Sequence, residues 1–335
     1  MLASRLLMLM LLVAPLTACT PSTTGGGFNP PAGPLFRTHA RLGVPSGRRA
    51  SWLKPNAQRE TLLYVTEGGG VGIYSNPSGD NFQLVGELFG FQLPSGACVD
   101  PHGNVFITDQ TAKDIVEYAH GAITPKAVIA DSYGEPYTCS IDRKTGRIAV
   151  LNFADPNGNY PGNVLVYPSP IGTPTEYTAS QLYIPLFSAF NSKGDLYLNA
   201  YDSSYHATLA KLPNGAPSFT ILTLSGGTVN IPGGVAFDGS QLLAGDSYNP
   251  KTHIYQVTVH GSTATIAGTI SLSQTNTLGV YTIFISGSTT AIIAPDPDGN
   301  NVKIYSYPSG SPIGSLPGSI TSPFAAVISQ GAPAQ

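Results

Sequence analysis

Leu93–Tyr118, LPSGACVDPHGNVFITDQTAKDIVEY, is the stretch whose reading decides the fold. A run led by Pro94 ends at Asp100, a turn spans Pro101 to Asn104, a second apolar run ends at Asp109, and a third run ends at Tyr118. Short runs rich in Val, Ile, Phe and Tyr, bounded by Gly, Pro, Asn and Asp, are strand signals. The second run, VFITD, is apolar at nearly every position instead of alternating, as expected of a strand buried on both faces.

The unit recurs. Its leading position returns at Pro136, Pro185, Pro232, Val280 and Pro323, at spacings of 42, 49, 47, 48 and 43 residues by subtraction. Second runs follow at Ile148 (IAVLN), Leu196 (LYLNA), Leu242 (LLAGD) and Ala291 (AIIAP), and third runs follow those. Strands of about six residues joined by turns of about four need roughly 40 residues per four-stranded unit. A fixed period of this size predicts an all-β, six-bladed β-propeller of four-stranded antiparallel blades. Leu62 to Leu88 supplies only three runs and Pro323 to Ser329 only a Pro-led one, so strands from both termini should share one blade and close the ring, removing the last free edges. IYSNPSG at Ile73 and IYSYPSG at Ile304 repeat almost word for word in neighbouring units.

PSGACVDPHGNVFITD resembles the repeat of the NHL-repeat and gluconolactonase-like (senescence-marker-protein-like) six-bladed propellers, over about 270 residues of the chain. The resemblance implies architecture more than activity, because that group holds hydrolases, lyases and binding modules. In its metal-dependent enzymes, an axial ion is held by Glu, Asn and Asp side chains, some of them just after the leading Pro. Here that position reads Ser95, Tyr137, Leu186, Gly233, Tyr281 and Phe324, with no carboxylate, carboxamide or imidazole. Hydroxyls and hydrocarbon are poor ligands for a hard divalent ion. These six are therefore candidate channel-mouth binding residues, with Tyr137, Tyr281 and Phe324 suited to stacking on a sugar ring or gripping an apolar side chain.

Residues 1–19 read as a processing segment: Arg5, an apolar core too short for a bilayer, then Leu16-Thr17-Ala18-Cys19, which resembles a bacterial lipobox. That reading expects cleavage before Cys19, acylation of its thiol and a membrane-anchored lipoprotein of the cell envelope. The alternative is an ordinary secretory signal with a chance cysteine, and both readings export the chain. Residues 20–60 are a tether rich in Thr, Ser, Gly and Pro followed by a basic stem, residues 61–329 the propeller, and 330–335 a tail. All 19 acidic residues lie at Glu60 or later against nine Lys and Arg there, so the propeller carries about −10 while Arg37 to Arg59 carries +6. That stem has two candidate partners, anionic headgroups or the acidic propeller itself. Trp52, the single tryptophan, is expected to dock the stem on the propeller base. Only 10% of residues are charged and Gly plus Pro make up one in five, as a fold of many tight turns requires. No basic stripe points to nucleic acid, and the expected state is a monomer.

Cys98 and Cys139 occupy the Pro-led runs of adjacent repeats, four and three residues after their prolines, so they point to opposite strand faces. Opposite faces of adjacent blades meet, which suggests a disulfide; two separate buried thiols are the alternative. DPNGN at Asp155 and DPDGN at Asp296 space oxygens like calcium loops but lack the Gly and Glu of later positions, so tight turns compete with metal sites. Glu67, Asp109, Asn152, Asp246 and Asp296 end second strands on one common face, with Asp202 two residues beyond its own, and form a weak candidate set for Ca²⁺. The competing role for each is accepting backbone N–H bonds in the next turn. The histidines share no spacing, and nucleophile and phosphate-loop motifs are absent. Two function classes follow. One is a non-catalytic envelope module for a glycan, peptide or protein, with no cofactor. The other is a metal-dependent lactonase- or phosphotriesterase-like hydrolase acting at the channel.

Overall fold

The computed structural model describes residues 49–75, 82–169, 172–248, 252–286 and 289–330. Cys19 and the tether lie outside these. Apart from one 3-10 turn at Ala57–Arg59, the regular structure is all strand. β1 (Trp52–Leu53), β2 (Leu62–Glu67), β3 (Gly70–Ser75) and β4 (Gln83–Leu88) come from the N-terminal partial repeat. β5 (Pro94–Val99), β6 (Val105–Asp109), β7 (Asp114–Tyr118) and β8 (Ala127–Ala130) come from the stretch quoted first. The next two repeats give β9 (Pro136–Ile141), β10 (Ile148–Asn152), β11 (Asn163–Tyr167) and β12 (Thr175–Tyr177), then β13 (Ile184–Phe190), β14 (Leu196–Tyr201), β15 (Ala207–Leu212) and β16 (Thr220–Ser225). β17 (Pro232–Phe237), β18 (Leu242–Asp246), β19 (His253–His260) and β20 (Thr263–Ser271) follow, then β21 (Thr282–Ser286), β22 (Thr289–Asp296), β23 (Asn301–Ser306), β24 (Pro312–Ser315) and finally β25 (Ala325–Ser329).

Within each repeat the strands pair antiparallel in chain order, and the first strand lies at one edge. Those edge strands gather about a common centre: β25 packs on β5, β5 on β9, β9 on β13, β13 on β17, and β21 on β25. The result is a propeller-like arrangement of sheets. Burial follows from it, since the inner strands have neighbouring sheets on both faces. β6, β10, β14 and β18 are buried at every position, whereas β8 alternates between half-buried and exposed and β24 is exposed throughout. Close approach of adjacent sheets fixes small residues at the seam. A Cβ on Gly96 of β5 would stand 2.5 Å from Cα of Thr138 in β9. At the same seam Thr108 Oγ1 donates to the Tyr137 carbonyl at 3.0 Å, and the sulfurs of Cys98 and Cys139 are bonded with their Cα atoms 5.7 Å apart. The turn after β5 uses Gly103 at φ 84°, while Asp100 accepts the N–H groups of His102 and Asn104 at 2.9 and 2.8 Å.

Two features differ from the expectation. Among the described residues the strands form five sheets in place of six, because β13–β16 and β17–β20 merge into one eight-stranded sheet. The outer strands β16 and β20 run parallel from Thr223–Thr263 to Ser225–Thr265, so the two repeats share one hydrogen-bonded edge. Trp52 does not sit on a base: Trp52 and Leu53 pair with Glu87 and Gly86 as a fifth, outermost strand on β4. The indole Nε1 donates to Glu87 at 2.8 Å, giving its polar edge a partner. The C-terminal run closes the ring through β25, which pairs antiparallel with β2 from Leu62–Ser329 to Thr66–Ala325.

Candidate functional site

The end of the molecule where each second strand stops and each first strand begins carries the acidic candidates. Most of their carboxylate oxygens are aimed at backbone, while Asn152 Oδ1 is buried with no partner among the described residues. Asp109 accepts from the N–H groups of Gln92, Leu93 and Ala112 at 2.6, 2.8 and 3.2 Å. Asp296 accepts from those of Asn276, Thr277 and Gly299 at 2.7, 3.1 and 2.9 Å. Asp246 takes the Ile231 and Tyr248 N–H groups and the Asn230 side chain. Each therefore ties down both the loop entering its inner strand and its own turn. Asp202 and Asp155 accept within their turns, from Ser204 and His206 and from Asn157 and Asn159. Asn152 donates to Asn163 Oδ1 at 2.9 Å. Glu67 accepts from the Thr321 N–H at 3.3 Å, and burial pushes its carboxyl up to about 7, helped by Glu87. Among the described residues, no three His, Cys, Asp or Glu side chains are grouped to hold a metal ion. A hard ion needs several converging oxygens, and the most buried of these acids spend theirs on N–H donors of their own repeats.

The six residues expected at a channel mouth are buried. Ser95, Tyr137, Tyr281 and Phe324 are 3%, 5%, 4% and 2% exposed, Leu186 is fully covered, and Gly233 is buried. Three rings from different repeats close the axis: Tyr137 lies 4.8 Å from Phe324 and 6.2 Å from Phe187, and Phe187 stacks on Phe324 at 5.9 Å. Among the described residues the Tyr137 hydroxyl has no hydrogen-bond partner, and burial pushes its pKa far above the usual tyrosine value. Tyr281 donates to the Leu243 carbonyl at 3.1 Å, and Ser95 Oγ lies 3.0 Å from Thr108 Oγ1. These side chains form core, because aromatic rings converging on a narrow axis bury one another in place of solvent.

From that plug a row of rings leads outward. Phe153 touches Tyr137 at 5.6 Å and Tyr160 at 6.0 Å; Tyr160 lies 5.7 Å from Tyr183, and Tyr183 meets Tyr205 at 6.2 Å and 88°. Phe153, Tyr160, Tyr183 and Tyr205 are half-buried, on the β10–β11 loop, just before β13 and on the β14–β15 loop. Burial pushes Tyr160 up to about 12, with Tyr205 and Glu135 adding to it. Beside Tyr183 opens a cavity of about 490 Å³ lined by Pro161, Gly162, Thr178, Ser180 and Ser203. Gly162 allows the loops to meet, its N–H donating to the Tyr183 carbonyl at 3.0 Å. A Cβ there would stand 2.0 Å from the Asn152 carbonyl oxygen. The repeat pattern does not single out these tyrosines. The available signal was local enrichment, since seven of the 17 tyrosines fall between Tyr160 and Tyr205.

No family model matches the sequence. No curated protein matches it either. Solved structures do. A chain of a nidogen/laminin complex superimposes with a TM-score of 0.65 at 14% identity, over 80% of this chain and 98% of that one. A functionally unknown protein from Desulfotomaculum acetoxidans DSM 771 gives 0.55 at 13% identity, over 81% and 99%. At these identities the likeness shows the fold alone.

Proposed function

We propose that this chain is a non-catalytic binding module: a six-bladed propeller of the NHL-repeat and gluconolactonase-like kind, exported and held at a cell-envelope membrane by an acyl group on Cys19. The six-blade count is supported by six first strands about one centre, the kinship by the Pro-to-Asp motif, and the anchor by LTAC after an apolar core. The observation that carries the binding reading is the row of half-buried rings Phe153, Tyr160, Tyr183 and Tyr205 beside an open cavity. Aromatic side chains offer large, rigid contact area with a polar tip, the property that enriches them at recognition sites. A chain of similar fold takes part in a nidogen/laminin complex, which makes a macromolecular ligand a natural expectation.

The test is metal analysis of the purified protein together with a panel of lactones and esters assayed with and without chelator. The module reading expects no stoichiometric ion after dialysis and no turnover. Calcium or zinc that survives dialysis, with hydrolysis lost on chelation, overturns it in favour of a metal-dependent hydrolase.

A further inference from the structure

We propose that the cavity beside Tyr183 takes a neutral oligosaccharide, one sugar ring lying against Tyr183 and its neighbours reaching Tyr160 and Tyr205. The proposal rests on the binding-module reading and names its ligand class. At about 490 Å³ the cavity has the size of a small-ligand site. Its wall sets the Tyr183 ring among the hydroxyls of Thr178, Ser180 and Ser203 and contains no carboxylate, amine, guanidinium or imidazole. A sugar has the matching two-sidedness, a C–H face that packs on a ring and a rim of hydroxyls that both donate and accept, as Ser and Thr hydroxyls do. The row Tyr160, Tyr183, Tyr205, with centroids 5.7 and 6.2 Å apart, offers contact to more than one sugar residue.

Other occupants fit less well. Glu135 acts electrostatically on Tyr160, and Asp202 shares the turn of Tyr205, so the border repels anions. Lys113, at the same end, donates to the Pro156 carbonyl. A peptide added as an extra strand needs a free strand edge, and every residue of this wall lies outside the strands.

The experiment is calorimetric titration of the purified full-length protein with linear hexamers of glucose and of N-acetylglucosamine, with a uronic acid hexamer and a lysine-rich peptide alongside. Saturable binding of an uncharged hexamer is expected. Tyr183→Ala should weaken it by about tenfold or more, whereas Tyr183→Phe, which keeps the ring, should stay within about threefold. Thr178→Val removes a hydroxyl and no ring and should weaken binding about fivefold with unchanged thermal melting. Tyr248→Ala, at an exposed ring on another loop of the same end, should leave binding unchanged. No binding of either uncharged hexamer, or binding indifferent to Tyr183→Ala in a folded variant, overturns the proposal. Preference for the uronic acid hexamer or the peptide also overturns it while leaving the module reading intact. Cleavage of the bound sugar would overturn the module reading itself.

Discussion

Single acidic residues do most of their work on backbone. Asp296, fully buried, accepts three N–H groups and the Thr277 hydroxyl. Asp296→Ala strands those donors and should cost about 3 kcal/mol, read as a lowered denaturation midpoint in urea. Glu67 behaves in the opposite sense. Its folded pKa of about 7 lies above the ordinary 4.5 because burial disfavours the charged form. The folded state therefore holds its proton more tightly than the unfolded one. The stability this contributes is fully present below about pH 4.5 and is lost as pH rises through 7. Glu67→Gln should flatten that decline and be the more stable protein at pH 8 by about 2 kcal/mol, measured by urea unfolding at pH 5 and pH 8.

At the scale of the strand, seams between neighbouring sheets hold the ring together. β5 and β9 meet through Gly96, Thr108 and the Cys98–Cys139 bond, across a sequence separation of 41. Closing a loop of that length should contribute about 4 kcal/mol in the chain-entropy account. The Cys98→Ala/Cys139→Ala variant is expected to unfold earlier by that amount. Thiol titration of denatured, unreduced protein in a Cys19→Ala background should find no free thiol, and two would remove the bond from this account. VFITD, IAVLN, LYLNA and LLAGD were legible as doubly buried strands because a continuous apolar run admits little else between two turns. The β16–β20 contact was not legible, since it depends on how far two outer edges stand apart.

Across the whole molecule, the chain divides into a basic stem and an acidic propeller, with all 19 carboxylates at Glu60 or later. If Cys19 begins the mature chain, labelled fatty acid will enter the wild type and not Cys19→Ala. Equal labelling of both would remove the lipid anchor. Ring closure by β25 against β2 places the first and last strands of the folded region in one sheet, and the stem meets that sheet at the end of the molecule that carries Glu67 and Asp109, where Arg49 lies over the Phe89 ring and Ser51 Oγ accepts the Phe89 N–H.

What the sequence by itself determined is local and repeated: where strands start and stop, which are buried on both faces, and that a lone final strand completes the first sheet. Periodicity and turn chemistry settle these within a few residues of the chain. Only the tertiary structure decided the site. Tyr137, Phe187 and Phe324 are far apart in sequence, yet their rings converge and fill the axis, where Tyr137 and Phe324 were expected at a channel mouth. Tyr160, Tyr183 and Tyr205 come from three loops and lie within 5.7 and 6.2 Å of the next ring. Such distances are set by the curvature of the ring, which sums the packing of every repeat, and no single repeat encodes it.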